Sequence, residues 1–269
     1  MSEKKMADIV EKLHIRRVAG RGEQDIEDVV IKELPLTIIL NNKELVTLLC
    51  TPADLKYLAI GFLFSEGLLG SKDEIKKVTV DDQRGVVRVE TGGDNEPAGE
   101  LAFKRFITSG CGRGSSFYSA ADVQGQSKIE SQIRIPALSI LTMVKTFQSS
   151  SQNFKLTGGV HSAALCDTSH ILIFAEDIGR HNAVDKILGE CIFRAIPTDD
   201  GIMITSGRIS SEILLKVAKR NIPILISRSA PTNLGVRLAD ELGVTLIGFV
   251  RAGRMNVYSH GWRVVTDGE

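Results

Sequence analysis

The stretch Gly201–Val250 reads GIMITSGRISSEILLKVAKRNIPILISRSAPTNLGVRLADELGVTLIGFV, and it decides the fold. It alternates short apolar runs with longer segments in which apolar residues recur every three or four positions. The first pattern is typical of buried strands and the second of amphipathic helices. The predicted strands are 201–205, 222–226 and 244–250, and the predicted helices are 210–220 and 232–242. Because the connections are short, this order implies a parallel sheet covered by helices.

The same alternation extends upstream, where Ile171–Ala175 is predicted to be a buried strand and Asn182–Leu188 a helix. A further helix is expected from about Pro136 to Phe147. The segment from Gly110 to Ser131 is polar and rich in serine and glycine, which is typical of a linker between domains. The sequence therefore predicts two domains, 1–130 and 131–269.

The first domain is predicted to be mostly β. Val29–Leu40 and Lys43–Cys50 flank the turn signal Asn41-Asn42 and are expected to form a hairpin. A helix is predicted after this hairpin, with Thr51 as its N-cap and Pro52 at its first position, and it is expected to stop near Gly67. Two short strands, 78–80 and 86–89, should follow.

Composition excludes several classes of function. Lys and Arg total 33, as do Asp and Glu, so the formal net charge is +0 and no long-range attraction for nucleic acid or a membrane is expected. No apolar run is long enough for a membrane span, and the N-terminus lacks an apolar signal region. Four cysteines without paired spacing favour reduced thiols, a cytoplasmic location and no metal site.

Cys111 differs from the other cysteines because it lies in the glycine- and serine-rich stretch Ser109–Ser116. An exposed thiol near cations, with Arg113 two residues away, is expected to be partly ionised, and the thiolate is the reactive form. The alternative is an ordinary turn cysteine. The remaining cysteines have apolar neighbours and are predicted to be small buried side chains: Cys50, Cys166 and Cys191.

Arginines follow each of the four predicted strands of the second domain. If the strands are parallel, these loops meet at one edge of the sheet, where ligands bind in open α/β folds. Arginine forks and helix N-termini suit phosphate oxygens, so a phosphorylated nucleotide, or a cofactor built on one, is the predicted ligand. The alternative is that these arginines are ordinary solvent-exposed residues at the edge of the sheet and bind no ligand. The loops supply Asp177 (a candidate for the guanine edge), Arg180, His181, Arg208, Arg228, Ser229, Arg251 and Arg254.

The segment Gly158–Ala164 is a second feature, in which a Gly-Gly turn precedes His161. We expect a helix to start here. Zinc nucleobase deaminases carry His-x-Glu at such a position, followed by a cysteine pair. Ala163 occupies the position of the glutamate, and no such pair follows, so deaminase chemistry is not expected. His161 stays a candidate for ligand contact, with a structural role as the alternative.

Several long motifs together resemble the formate dehydrogenase accessory proteins of the FdhD/NarQ family. The resemblance runs from about Glu33 to Tyr258. It is carried by Asp177–Lys186, Ser206–Glu212, Ser229–Thr232 and Gly248–Asn256, with Ala59–Gly67 and Gly158–His161 as further segments.

The resemblance implies a sulfur carrier, that is, a sulfurtransferase with a cysteine persulfide intermediate. A cysteine desulfurase would load sulfur onto Cys111. The protein would then deliver that sulfur to the molybdenum or tungsten bis-(molybdopterin guanine dinucleotide) cofactor, bound as cargo, before formate dehydrogenase receives the cofactor. The alternative is a chaperone that binds the same cofactor and hands it over without moving sulfur.

The resemblance also implies a fold, an assembly and binding residues. It implies an α/β protein whose C-terminal domain is a cytidine-deaminase-like three-layer α/β unit behind a largely β N-terminal domain, and it implies a homodimer. GDP- or GMP-like nucleotide ends of the cofactor would be held by Phe249, Val250, Arg251, Ala252, Gly253 and Arg254. Family members commonly carry Cys-Gly-x-Cys in the loop, whereas this chain has Cys111-Gly-Arg-Gly114. One acceptor sulfur is chemically sufficient for a persulfide relay.

Overall fold

The computed structural model describes residues 9–92, 107–108 and 127–266. Its N-terminal part begins with a hairpin of β1 (Val10–Ala19) and β2 (Gly22–Ile31) that is largely exposed. Cross-strand ion pairs such as Lys12–Glu27 at 2.7 Å join its two strands. This hairpin was not predicted, because its exposed strands do not alternate apolar and polar residues clearly.

A five-stranded sheet forms the body of the N-terminal part, in the order β5-β6-β3-β4-β7. Its strands are β3 (Leu34–Leu40), β4 (Lys43–Cys50), β5 (Ile75–Asp81), β6 (Val86–Thr91) and β7 (Ile107–Thr108). Asn41 and Asn42 turn the hairpin of β3 and β4 with φ of 46° and 65°. Asparagine tolerates this left-handed conformation, so the predicted turn is confirmed. The predicted long strand Val29–Leu40 was wrong, because it is split between β2 and β3.

The helix after the hairpin is α1 (Leu55–Ser65), and it ends two residues before Gly67, whose φ is 74°. The predicted cap was wrong. Asp54 occupies the N-cap position without a side-chain hydrogen bond, while the Thr51 hydroxyl accepts a hydrogen bond from the backbone of Ile178 at 3.1 Å. Thr51 therefore joins the two halves of the chain rather than starting a helix.

A six-stranded sheet in the order β10-β9-β11-β12-β13-β14 forms the C-terminal part. The strands are β9 (His161–Cys166), β10 (Ile171–Asp177), β11 (Ile202–Thr205), β12 (Ile224–Ser227), β13 (Thr245–Arg251) and β14 (Arg254–Ser259). The helices are α2 (Ala137–Ser150), α3 (Gln152–Thr157), α4 (Arg180–Arg194), α5 (Ser211–Lys219) and α6 (Asn233–Leu242). Two-residue strands, β8 (Ile135–Pro136) and β15 (Val264–Val265), pair beside this sheet, and 3₁₀ turns cover Lys72–Glu74 and Gly261–Arg263.

The expected parallel sheet is mixed. β11, β12 and β13 are parallel, but β9 is antiparallel to both β10 and β11, and β14 is antiparallel to β13. The predicted helix start at Gly158–Ala164 was also wrong, because His161 begins β9. A short run of small apolar residues fits a buried strand as well as a helix, and here it lies in the middle of the sheet.

Successive side chains along the strands point to opposite faces of the sheet, so the C-terminal core has two layers. Met203 packs with α4, α5 and α6 on one face, whereas Ile202 and Ile204 pack with α2 on the other. The result is a three-layer α/β/α unit, as expected. The domain boundary at 130/131 and the cytidine-deaminase-like description stay predictions. Across the described ranges, no helix combines the length and apolar composition that a membrane-spanning segment needs.

Two glycines let α1 and α4 touch along their backbones and join the halves. A Cβ at Gly61 would lie 1.9 Å from the carbonyl oxygen of Asp185, and one at Gly189 would lie 1.9 Å from that of Tyr57. Buried polar contacts extend this junction: Ser65 donates to Asp185 at 2.7 Å, and Lys216 pairs with the same carboxylate at 2.6 Å.

Replacing Gly61 by alanine should destabilise the protein, because the added methyl group must push the two helices apart. We expect a loss of about 1–3 kcal/mol in the free energy of unfolding, typical of overpacking. Alanine has the higher helix propensity by about 1 kcal/mol, so propensity alone predicts the opposite sign. Urea unfolding measures the change. Gly92→Ala is the control, since its nearest neighbour would lie at 3.5 Å; equal stability of the two variants would refute the close contact.

Candidate functional site

The carboxyl ends of four strands meet at one edge of the C-terminal sheet. β10 and β11 are both antiparallel to β9, and β11, β12 and β13 are parallel, so all four strands run in the same direction. β9 runs the opposite way, which brings its first residue, His161, to the same edge opposite Asp177. We call this surface the loop edge and define it as His161 with the segments 178–181, 206–208, 228–229 and 249–254. The predicted juxtaposition of the loops is confirmed.

Serine side chains connect the segments of the loop edge. Ser206 contacts His161 Nδ1 through its hydroxyl at 3.2 Å, and its backbone N–H donates to the carbonyl of Ser162 at 3.0 Å. Ser229 donates its hydroxyl proton to the carbonyl of Ser206 at 2.9 Å, and the Ser229 carbonyl accepts from the backbone of Phe249 at 3.2 Å. One continuous chain of hydrogen bonds therefore spans three loops and the start of β9.

The two histidines of the loop edge have different partners. Nε2 of His181 lies 2.9 Å from Oε2 of Glu212, in the first turn of α5. The pKa of His161 is lowered, first by burial and then by the charges of Arg180 and His181. A histidine whose pKa lies below 6.5 is neutral at pH 7, so His161 can offer one N–H donor there.

The arginines of the loop edge are well placed for an anionic ligand. Arg208, Arg228, Arg251 and Arg254 are exposed. Arg251 lies opposite Arg254 across the turn, and its guanidinium sits 5.2 Å from the centre of the Phe249 ring. Arg180 is half-buried over Gly207, where any Cβ would come within 2.9 Å of the arginine side chain. Several planar cations at one edge suit phosphate oxygens.

The backbone of the segment 249–254 is unusual. Phe249 and Ala252 have φ of 53° and 50°, a left-handed conformation that non-glycine residues rarely adopt, and Gly253 follows at 74°. Such conformations persist where the surrounding structure enforces them, often at ligand sites. Val250 is buried in the core beneath α2, so only its backbone faces the turn.

Asp177 does not fit the expected contact with a guanine edge. Its side chain is fully buried, and it accepts hydrogen bonds from the backbones of Thr51 and Gly179 and from Asn182 at 2.8–3.1 Å. Lys186 completes the set at 2.7 Å. A carboxylate accepts about four hydrogen bonds, and all four positions are used internally. Asp177 fixes the turn that carries Arg180 and His181 and leaves no acceptor for a base.

The comparisons with known proteins agree with this architecture. The model of the FdhD/NarQ family matches residues 31–265. This chain belongs to the FdhD/NarQ family. It is 46% identical over 239 residues to the sulfur carrier protein FdhD of Bacillus subtilis (strain 168), covering 89% of this chain and 91% of that protein. It is 42% identical to the Geobacillus kaustophilus (strain HTA426) protein of the same name, with the same shares covered.

A solved structure confirms the FdhD/NarQ fold. The crystal structure of a protein from Desulfotalea psychrophila, described as a formate dehydrogenase accessory protein, matches with a TM-score of 0.80 at 26% identity. The match covers 96% of this chain and all of the other chain. The mixed α/β architecture is therefore that of the family.

Three of the four cysteines of this FdhD/NarQ chain are buried in its cores. They are Cys50, Cys166 and Cys191, each fully inaccessible. Burial raises the pKa of each thiol to about 12, so each is protonated at neutral pH. The predicted sulfur acceptor, Cys111, lies outside the described residues. Within the described ranges, no group of three or more His, Cys, Asp or Glu side chains is placed to hold a metal ion.

Sequence reasoning missed two partners at the loop edge of this FdhD/NarQ member. In the sequence, Ser206 and Glu212 stood out only as the two ends of the motif Ser206–Glu212. The sequence did carry a signal for Ser206, because the first residue after a central strand must lie at the edge. The pairing of Glu212 with His181 depends on how α4 and α5 pack, which no local pattern encodes.

Proposed function

We propose that this protein carries sulfur as a persulfide on Cys111 and delivers it to a molybdenum or tungsten cofactor whose guanine nucleotide ends bind the loop edge. The observation that carries the proposal is the burial of Cys50, Cys166 and Cys191 with their raised pKa values. A sulfur carrier needs an accessible thiolate. Cys111 is the cysteine that remains in a family whose relatives are named sulfur carriers.

The loading step follows ordinary thiol–disulfide chemistry. The Cys111 thiolate attacks the outer sulfur of a persulfide on a cysteine desulfurase, forming a new S–S bond. The S–S bond of the donor breaks, and the donor cysteine leaves as a thiolate. Cys111 then carries the extra sulfur, with no external oxidant or reductant consumed. A second loop cysteine is not required for this step, which is consistent with Gly114 at that position.

The loop edge provides the docking part of the proposal. Four exposed arginines and the half-buried Arg180 offer forks for phosphate oxygens, and the serine chain from His161 to Phe249 holds the loops in register. The cofactor is cargo that passes on to formate dehydrogenase. We further propose that the protein acts in the cytoplasm as a homodimer.

Replacing Arg251 or Arg254 by alanine should weaken the binding of GDP, because each removes a guanidinium from the strained turn. We expect about a tenfold loss of affinity for each, or about 1.4 kcal/mol, which is typical of a charge-assisted hydrogen bond at an exposed site. Isothermal titration calorimetry with GDP measures the effect. Arg84→Ala is the matched control, since this exposed arginine lies in the turn between β5 and β6. Unchanged GDP affinity in both edge variants would contradict the docking site.

A further inference from the structure

Ser206 occupies the central position of the loop edge, and among the described residues its hydroxyl has two hydrogen-bonding neighbours. The backbone N–H of Ser162 donates to its oxygen at 3.0 Å, and Nδ1 of His161 lies 3.2 Å away. A serine hydroxyl carries one proton and two acceptor positions. The backbone N–H of Ser162 can only donate. Within the described residues, Nδ1 of His161 is therefore the acceptor for the hydroxyl proton of Ser206.

This arrangement decides which ring nitrogen of His161 carries its proton. If Nδ1 accepts the serine proton, Nδ1 is unprotonated, and the proton of the neutral imidazole sits on Nε2. The opposite tautomer would place two donors, Ser162 N–H and Nδ1–H, on the serine oxygen and leave the hydroxyl proton without an acceptor among the described residues. Burial, together with the charges of Arg180 and His181, lowers the pKa of His161, so the ring carries a single proton at neutral pH and the hydrogen bonds decide which nitrogen holds it.

We infer that Ser206 is a positioning residue that holds His161 as the Nε2–H tautomer, so that the loop edge presents a neutral donor to an acceptor oxygen of a bound nucleotide. The inference rests on the proposed binding of guanine nucleotides and adds which tautomer of His161 contacts the nucleotide. A neutral N–H donor recognises the position of a phosphate or carbonyl oxygen, whereas the nearby arginines supply charge.

A second set of hydrogen bonds joins Ser206 to the turn at residues 249–254. Its carbonyl accepts the hydroxyl of Ser229 at 2.9 Å, and Ser229 in turn receives the backbone N–H of Phe249. The same residue therefore orients the ring of His161 and fixes it relative to the turn that carries Arg251 and Arg254. Those backbone links survive removal of the hydroxyl, so Ser206→Ala tests the orientation of the ring.

Long-range ¹H–¹⁵N correlation spectra of the unliganded, ¹⁵N-histidine-labelled full chain test the tautomer directly. In the wild type we expect an unprotonated Nδ1 and a protonated Nε2 for His161, assigned by the signals lost in His161→Gln. Ser206→Ala should mix the tautomers, and Ser206→Thr, which keeps the hydroxyl, should restore the wild-type pattern. A protonated Nδ1 in the wild type, or no change in Ser206→Ala, would overturn the inference. If Ser206→Ala does not fold, the wild-type and Ser206→Thr spectra decide.

Calorimetry with GDP tests the consequence for binding. Ser206→Ala should lower GDP affinity about three- to tenfold, the range of a lost hydrogen bond, and Ser206→Thr should recover it to within about twofold. The matched control is Ser210→Ala in the same loop, because the Ser210 hydroxyl has no hydrogen-bond partner within the described residues. The GDP affinity of this variant should equal that of the wild type. An altered tautomer with unaltered affinity would overturn the role of His161. Failure of the wild type to bind GDP would instead refute the proposed docking, while the spectra still report on Ser206.

Discussion

Cys111→Ala should abolish sulfur loading completely. After incubation of the wild type with a cysteine desulfurase and cysteine, mass spectrometry of the intact protein should show the gain of one sulfur, and digestion should place it on the peptide containing Cys111. The physical reason is that the other thiols are buried and protonated, with pKa values raised to about 12. A buried thiol neither forms the attacking thiolate nor reaches a donor protein.

Cys166→Ala and Cys191→Ala are the matched controls for this experiment. Each removes one buried sulfur atom from a core, so each is expected to lower stability modestly while leaving sulfur loading at the wild-type level. If Cys111→Ala still gains a sulfur, or if either control loses loading with its fold intact, Cys111 is not the acceptor.

The same variant separates the two functions considered for the chain. A chaperone that only binds and hands over the cofactor would support formate dehydrogenase activity without Cys111, whereas a sulfur carrier would not. Cells that carry Cys111→Ala as their sole copy should therefore lack formate dehydrogenase activity. Normal activity, together with intact GDP binding, would favour the chaperone.

The sequence was a good guide to the C-terminal sheet because its strands are short, apolar and separated by amphipathic helices. Each of the predicted strands between Ile171 and Val250 exists, and the loops after them do meet at one edge. This edge was inferred from an assumed parallel sheet. The sheet is mixed, but the loops still meet at one edge because β9 lies between β10 and β11, which run in the same direction.

The sequence was a poor guide wherever a residue's partner is distant in the chain. Asp177 looked like a polar loop residue, but it is fully buried and pairs with Lys186 in the helix that follows and with the backbone of Thr51, 126 positions before it. Gly158–Ala164 looked like a helix start because its Gly-Gly turn leads into mostly small residues without a clear period, and pairing with β10 and β11 makes the residues from His161 onward a strand. Charge neutralisation and strand pairing are tertiary effects, and local patterns do not report them.

Asp177→Ala should be among the most destabilising single substitutions in the protein. It removes the carboxylate that faces the buried ammonium of Lys186 at 2.7 Å, and it leaves that charge and the N–H groups of Thr51 and Gly179 without their acceptor. Breaking a buried ion pair by removing one partner costs about 3–5 kcal/mol, because the remaining charge stays desolvated. Urea unfolding followed by circular dichroism should show the midpoint displaced to lower urea.

A double variant shows whether the loss of stability comes from the unpaired, buried charge of Lys186. Asp177→Ala combined with Lys186→Met removes both charges, so it should recover part of the stability lost in Asp177→Ala, and the two effects should not add. Asp25→Ala is the surface control: its partner Arg16 lies 3.3 Å away with both side chains exposed, and the expected change is below about 1 kcal/mol. A loss below 1 kcal/mol in Asp177→Ala, or a double variant as unstable as the sum of both single variants, would mean that the pair does not hold the loop edge in place. Because Asp177 joins Thr51 of the first half to the turn bearing Arg180 and His181, its loss should also weaken GDP binding under conditions where the variant is still folded.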